Sequence, residues 1–214
     1  PQDILTAPHE ELEAIQLEGV KKTIINCYEN VPFYHNLYDE AGFDPYAVKS
    51  LADLAKAPFT TKQDLRDNYP FKMFAVPNED IREIHMSSGT TGIATVGGYT
   101  EHDLDIWGEC IARGLKMAGA EKDYIIQNAY GYGLFTGGLG AHDGAAVRGA
   151  IQLPISAGNS AKQIMLMKDF GTTALCCTSS YALHLAEVIE QTPNIDAEDL
   201  KLRVGFFGAE PWTW

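Results

Sequence analysis

From about residue 124 onward, short apolar runs alternate with helical patterns at intervals of about 25 residues, and this rhythm constrains the chain more than any other feature. Strands are expected at 81–86, 95–100, 124–128, 151–155, 173–178 and 203–207. Runs this short, each followed by a helix-length segment, are the signature of βαβ units. They build a parallel sheet covered by helices on both faces, which makes the fold class α/β. Sheets of this kind bind ligands beyond the carboxyl ends of their strands. The polar and glycine-rich stretches fall at those ends: 87–92, 131–140, 156–160 and 208–211.

Helix signals fit between the strands. Thr100 and Asp103 form a capping pair for a long helix, with Leu104, Trp107, Ile111, Leu115 and Ala118 on one face and Gly119 as its stop. A small-residue helix follows the 131–140 stretch and stops at Gly149. Ser160 and Gln163 are expected to cap the next helix, in which Met165 and Met167 read as core. The last helix spans 180–191, with Glu187 and Glu190 on its solvated face.

The first 80 residues differ. They read as short helices joined by proline breaks, with Leu12, Ile15, Val20, Ile24, Cys27 and Tyr28 on one stripe ending before Pro32. Gly42 closes a second helix, Ser50 with Asp53 caps a third, and Thr60 or Thr61 caps a fourth. The expected organisation is a helical segment at 1–80 and an α/β nucleotide- and acid-binding segment at 81–214.

Composition narrows the partners. With 16 Lys and Arg against 29 Asp and Glu in 214 residues, the net charge of −13 argues against nucleic acid or an anionic membrane surface. No apolar run approaches the ~20 residues that span a bilayer. The start, which lacks an initiator Met, does not resemble a signal peptide. Cys27, Cys110, Cys176 and Cys177 form no CxxC pair and read as reduced, mostly buried thiols in a cytoplasmic protein.

Three stretches carry chemistry. Ser87-Ser88-Gly89-Thr90-Thr91-Gly92 sets four hydroxyls and two glycines directly after a strand. Glycines turn backbone N–H groups toward an anion and hydroxyls add uncharged donors, which suits a polyphosphate. A Ser/Thr-rich turn has the same composition. The stretch is not a Walker A loop, since no G-x-x-x-x-G-K-[ST] is present. In Tyr130-Gly131-Tyr132-Gly133-Leu134-Phe135-Thr136-Gly137-Gly138-Leu139-Gly140-Ala141-His142, rings alternate with glycines. This pattern suits a flat apolar ligand, or a glycine-rich helix start packed closely on its neighbours. His142 reads as structural. Gly208-Ala209-Glu210-Pro211-Trp212 follows the last strand, where small residues let a flat ring lie against backbone. No Ser-His-Asp or zinc spacing emerges.

Together the three stretches, with Gly-Tyr-Thr at 98–100, resemble the phenylacetate–coenzyme A ligase branch of the adenylate-forming acyl- and aryl-CoA synthetases. The resemblance implies two half-reactions. A carboxylate attacks the α-phosphate of ATP to give an acyl-adenylate and pyrophosphate; the thiol of coenzyme A then displaces AMP. It implies ATP, Mg²⁺ and coenzyme A as cofactor and co-substrates and a small aryl carboxylate as substrate. It places Ser87, Ser88, Gly89, Thr90, Thr91 and Gly92 at the phosphates and Gly208, Ala209, Glu210 and Pro211 at the adenine. Tyr130 and Phe135 would wall the aryl pocket. Ile93-Ala94 stands where relatives often carry Lys-Pro, so one positive charge is missing. The resemblance also implies a chain about twice as long, of which this is the N-terminal part. The Mg²⁺-holding Glu and the adenylation Lys would lie outside it. Base rates favour a homodimer where such proteins associate. Two other readings stay open: an adenylyltransferase with another acceptor, such as a deazaflavin, and a non-catalytic nucleotide-binding module.

Overall fold

The structure, a computed structural model, describes residues 4–87, 92–134 and 136–211. It separates into two compact units, Pro1–Gly98 and Tyr99–Trp214.

In the first unit, α1 (His9–Asn30) and α2 (Pro32–Ala41) are divided by Val31 in extended conformation. Pro32 sets this break, because it has no N–H to continue the ladder and suits the first helical position. Gly42, at φ 64°, closes α2. Ile24, Tyr38, Phe43 and Val48 form this unit's core. The Ser50 and Asp53 pair caps the third helix as expected, and that helix is a six-residue 3₁₀ helix, Leu51–Lys56. Thr61 and Asp64 cap α3 (Lys62–Asp67). Strands β1 (Ile81–Met86) and β2 (Val96–Thr100) form a two-stranded sheet of their own.

The second unit opens with α4 (Glu101–Met117), capped as its sequence predicts: Thr100 N–H donates to the Asp103 carboxylate (2.9 Å) and Asp103 N–H to Thr100 Oγ1 (3.2 Å). The unit continues as β3 (Ile125–Asn128), α5 (Gly137–Arg148), β4 (Ile151–Leu153), α6 (Ser160–Phe170), β5 (Ala174–Cys177), α7 (Ser179–Gln191) and β6 (Val204–Phe207). The strands form one parallel sheet in the order β4-β3-β5-β6. Every residue of β5 is buried, as a central parallel strand requires. Its side chains alternate between two cores. Ala174 and Cys176 join Leu115, Ile126, Ala141 and Ala145 on the α4–α5 face, while Leu175 and Cys177 join Ile164, Met167, Leu185 and Ile189 on the α6–α7 face.

Several expectations need correction. The buried line of α4 is Gly108–Ala112–Leu115, and Ala118 is exposed. Ala118 is the residue that ends the helix. The rest of the expected stripe does meet α5, whose glycines make room for its large side chains: a Cβ on Gly144 would stand 2.3 Å from Ile111 Cγ2, and one on Gly140 would stand 2.6 Å from the Trp107 ring. Met167 is core but Met165 is 47% exposed, because two helical positions turn a side chain by roughly 200°. Helix α6 is capped by Asn159, in left-handed conformation at φ 50°, whose side chain accepts from Lys162 N–H (3.2 Å). Gln163 cannot serve as its capping partner, since it is fully buried and donates to Ser156 O (2.7 Å). Of the four thiols only Cys176 and Cys177 are buried; Cys27 is half-buried and Cys110 is exposed.

Candidate functional site at the carboxyl ends of β3, β5 and β6

β3, β5 and β6 are neighbours in the parallel sheet, so their exits gather along one edge. Asn128, the last residue of β3, organises the first of them. It is 2% exposed, and its amide donates to Gly138 O (2.7 Å) and to the Tyr132 hydroxyl (2.8 Å). Its side-chain oxygen accepts from Tyr130 N–H (3.2 Å), and its backbone oxygen accepts from Ser156 N–H (3.1 Å). One buried amide thus fixes both halves of the glycine-aromatic stretch and the exit of β4. The reading of a closely packed glycine-rich helix start holds for the second half of that stretch. Residues 131–134 form a loop, whereas Gly138 lies in α5 so close to Gly131 that a Cβ would meet the Gly131 oxygen at 2.3 Å. His142 Nδ1 lies 3.3 Å from the Tyr132 hydroxyl.

Tyr130 projects toward the exit of β6, where a Cβ on Gly208 would stand 3.4 Å from the phenol oxygen. Burial is the main cause that pushes the Tyr130 phenol up to about 12, and the neighbouring Cys176 and Cys177 add to it. The Gly208 backbone N–H, which favours the ionised form, opposes the shift. The same burial pushes the Cys176 and Cys177 thiols up to about 12. Tyr130 therefore presents a neutral ring and hydroxyl throughout the physiological range.

The β6 exit turns sharply. Ala209 lies in left-handed conformation at φ 69°. Gly208 N–H donates to Cys177 O (3.4 Å). Glu210 accepts at one carboxylate oxygen from Ser180 N–H (3.0 Å) and Ser179 Oγ (3.2 Å), and at the other from Ser180 Oγ (2.7 Å). These bonds, those of Ser180 foremost, hold its carboxyl below the usual carboxylate range. The sequence reading missed Asn128, Ser179 and Ser180. The signal for Asn128 was an amide ending an apolar strand one residue before Ala129 and Tyr130. Ser179 and Ser180 carried no signal beyond their place at a helix start.

The Ser87 stretch belongs to the first unit. Ser87 is pinned at the end of β1, where its N–H donates to Thr95 O (3.0 Å) and its Oγ accepts from Thr95 N–H (3.0 Å). Gly92, at φ 129°, holds a conformation that L side chains rarely adopt. Ser88, Gly89, Thr90 and Thr91 lie outside the described residues, as does Phe135. Among the described residues no three His, Cys, Asp or Glu side chains converge as a metal site, and no helix is long and apolar enough to cross a membrane.

No protein-family model matches the chain. Solved structures do. A 2-hydroxyisobutyryl-CoA ligase in complex with 2-HIB-AMP and CoA, in the thioesterification state, superposes with a TM-score of 0.89 at 32% identity, over 96% of this chain and 45% of that one. The same ligase in the postadenylation state with 2-HIB-AMP gives 0.88 at 30% identity, over 96% and 44%. Over the matched part, the fold is that of these CoA ligases. By sequence the chain is similar to proteins named phenylacetate–coenzyme A ligase: it is 52% identical to that of Escherichia coli over 210 residues and 49% identical to that of Thermus thermophilus over 211 residues. These alignments cover 98% and 99% of this chain, which spans about half the length of the curated relatives it matches, 48% and 47% respectively.

Proposed function

We propose that the protein carrying this chain is a cytoplasmic ligase that converts an aryl carboxylate, phenylacetate by default, to its coenzyme A thioester. The substrate carboxylate attacks the α-phosphate of ATP, the bond to pyrophosphate breaks, and an acyl-adenylate forms. The thiol of coenzyme A then attacks the acyl carbon, and AMP leaves. AMP serves because it is a far better leaving group than an oxide of the free acid. In this reading Ser87–Gly92 grips the β- and γ-phosphates through backbone N–H groups and hydroxyls, a form of binding that tolerates a net charge of −13. Gly208–Pro211 borders the adenine, and Tyr130 and Phe135 wall the aryl group. Mg²⁺ would supply charge neutralisation at the phosphates; no residue of this chain is assigned to it. A homodimer is the expected assembly by base rate.

The observation that carries the reading is the approach of Tyr130 to Gly208 at the carboxyl edge of the parallel sheet. It brings the ring of Tyr130 beside the Gly208 backbone, so that one ligand with an acyl end and a nucleotide end would touch both. The neutral phenol matters as well, since a phenolate there would repel both the substrate carboxylate and the phosphates. The work of such a site is positioning and charge stabilisation. The test is product analysis of the full-length gene product with ATP, phenylacetate and coenzyme A. The expected product is phenylacetyl-CoA, with only enzyme-held adenylate when CoA is omitted. AMP transferred to another acceptor in the absence of CoA contradicts the reading.

A further inference from the structure

The Glu210 carboxylate has a role distinct from lining the adenine site. We propose that Glu210 is a positioning residue, whose carboxylate ties the Gly208–Pro211 turn to the first turn of α7 so that the turn meets the nucleotide through its backbone. The inference rests on the reading above that this turn faces the adenine.

Three observations carry it. First, both carboxylate oxygens are engaged by α7, through Ser179 Oγ, Ser180 N–H and Ser180 Oγ at 3.2, 3.0 and 2.7 Å. Second, these contacts complete the helix start. A helix leaves its first N–H groups without partners. Thr178 Oγ1 takes that of Tyr181 (3.3 Å), and Glu210, thirty residues on from Ser180, takes that of Ser180. Glu210 is thus a second cap on this helix start, supplied by the loop after β6 and placed where the helix dipole favours a negative charge. Third, the residue between the anchors is strained. Ala209 sits at φ 69°, a conformation that disfavours any residue with a Cβ and persists where its surroundings over-determine it. Gly208 N–H on Cys177 O holds one side of Ala209 and the Glu210 carboxylate holds the other. The clamp thus fixes a strained turn before any ligand arrives. Pre-organisation of this kind raises affinity by removing an ordering cost from the binding step.

The competing role, direct contact of the carboxylate with the adenine, has different consequences. A carboxylate accepting from the adenine amino group would set the choice of base, so neutralising it would alter the preference for ATP over inosine triphosphate. Loss of the clamp would weaken binding.

The experiment uses the full-length gene product carrying Glu210→Gln, Ser180→Ala or both. The expected result is a rise of about tenfold in the KM for ATP in each single variant, as for loss of charge-assisted hydrogen bonds that hold a binding loop. The KM for the aryl acid stays within about twofold, and the double variant is no worse than Glu210→Gln, because the two residues act as one unit. The preference for ATP over inosine triphosphate stays unchanged. A lower KM for ATP in Glu210→Gln, an altered nucleotide preference, a silent Ser180→Ala, or a fall in thermal stability with no change in KM each overturns the proposal. Amide hydrogen exchange of the segment 204–211 gives a readout independent of turnover: exchange quickens in both single variants, and unchanged exchange overturns the clamp. Wild-type protein that fails to activate any aryl acid refutes the functional reading instead, and hydrogen exchange then still decides the clamp.

Discussion

Tyr130 and Gly208, seventy-eight residues apart in sequence, face each other so closely that a Cβ on Gly208 would stand 3.4 Å from the Tyr130 hydroxyl. That distance is ordinary van der Waals contact, so Gly208→Ala fits without displacing the ring. The methyl group would occupy space that the proposed adenylate needs. Gly208→Ala is expected to leave the melting temperature within about 2 °C of wild type, while raising KM for ATP or aryl acid about fivefold, roughly 1 kcal/mol. Calorimetry and steady-state kinetics on the same preparation check this.

The α4–α5 contact gives a prediction about stability. Gly144→Ala would force a Cβ to within 2.3 Å of Ile111 Cγ2 and 3.2 Å of the Ala112 backbone nitrogen. Overpacking of this kind costs about 1–3 kcal/mol. The expected outcome is a lower melting temperature for Gly144→Ala and a partial recovery in the Gly144→Ala/Ile111→Ala double variant relative to the sum of the two single changes.

Alkaline stability follows from the buried groups behind the site. Tyr130 ordinarily titrates near 10, and Cys176 and Cys177 near 9, but burial pushes all three up to about 12. Between those values the native protein binds more protons than the unfolded chain, so their contribution is complete below pH 9 and is lost as pH rises toward 12. Thermal unfolding measured from pH 8 to 11 is expected to show a falling melting temperature. Tyr130→Phe removes one of the three titrations, so its decline above pH 10 is expected to be shallower.

The thiols differ in access. Cys110 is exposed, Cys27 is half-buried, and Cys176 and Cys177 are buried with raised pKa values. Alkylation needs the thiolate and a path to it. Iodoacetamide at pH 8 is expected to label Cys110 first and Cys27 more slowly, leaving Cys176 and Cys177 unmodified until the protein unfolds. Peptide mapping over time checks the order.

The sequence was most legible where the cause of structure is local. The Thr100–Asp103 and Thr61–Asp64 caps, the strand 81–86, the stop at Gly42 and the parallel βαβ rhythm all rest on residues within a few positions of each other. It was least legible where two distant segments meet. The apolar stripe of α4 placed Ala118 in the core, where the structure leaves it exposed at the helix end, and the α5 glycines that receive Trp107 and Ile111 lie more than thirty residues away. Gln163 looked like a capping partner, but it joins Gln127 and Thr172 in a buried network: Gln127 Nε2 donates to Gln163 Oε1 (2.5 Å) and Thr172 Oγ1 to Gln127 Oε1 (2.9 Å). The loops at the strand ends were visible as composition. Which side chains hold them was not, because nothing near Glu210 in sequence reveals that its carboxylate meets a helix thirty residues earlier.

We propose that the strand-end site serves acid activation by ATP. The most direct measurement is exchange of labelled pyrophosphate into ATP by the full-length gene product, with and without phenylacetate and without coenzyme A. Exchange that depends on the aryl acid and needs no coenzyme A is the predicted result, because the adenylate forms reversibly before the thiol acts. No exchange with phenylacetate or any other aromatic acid would contradict the account.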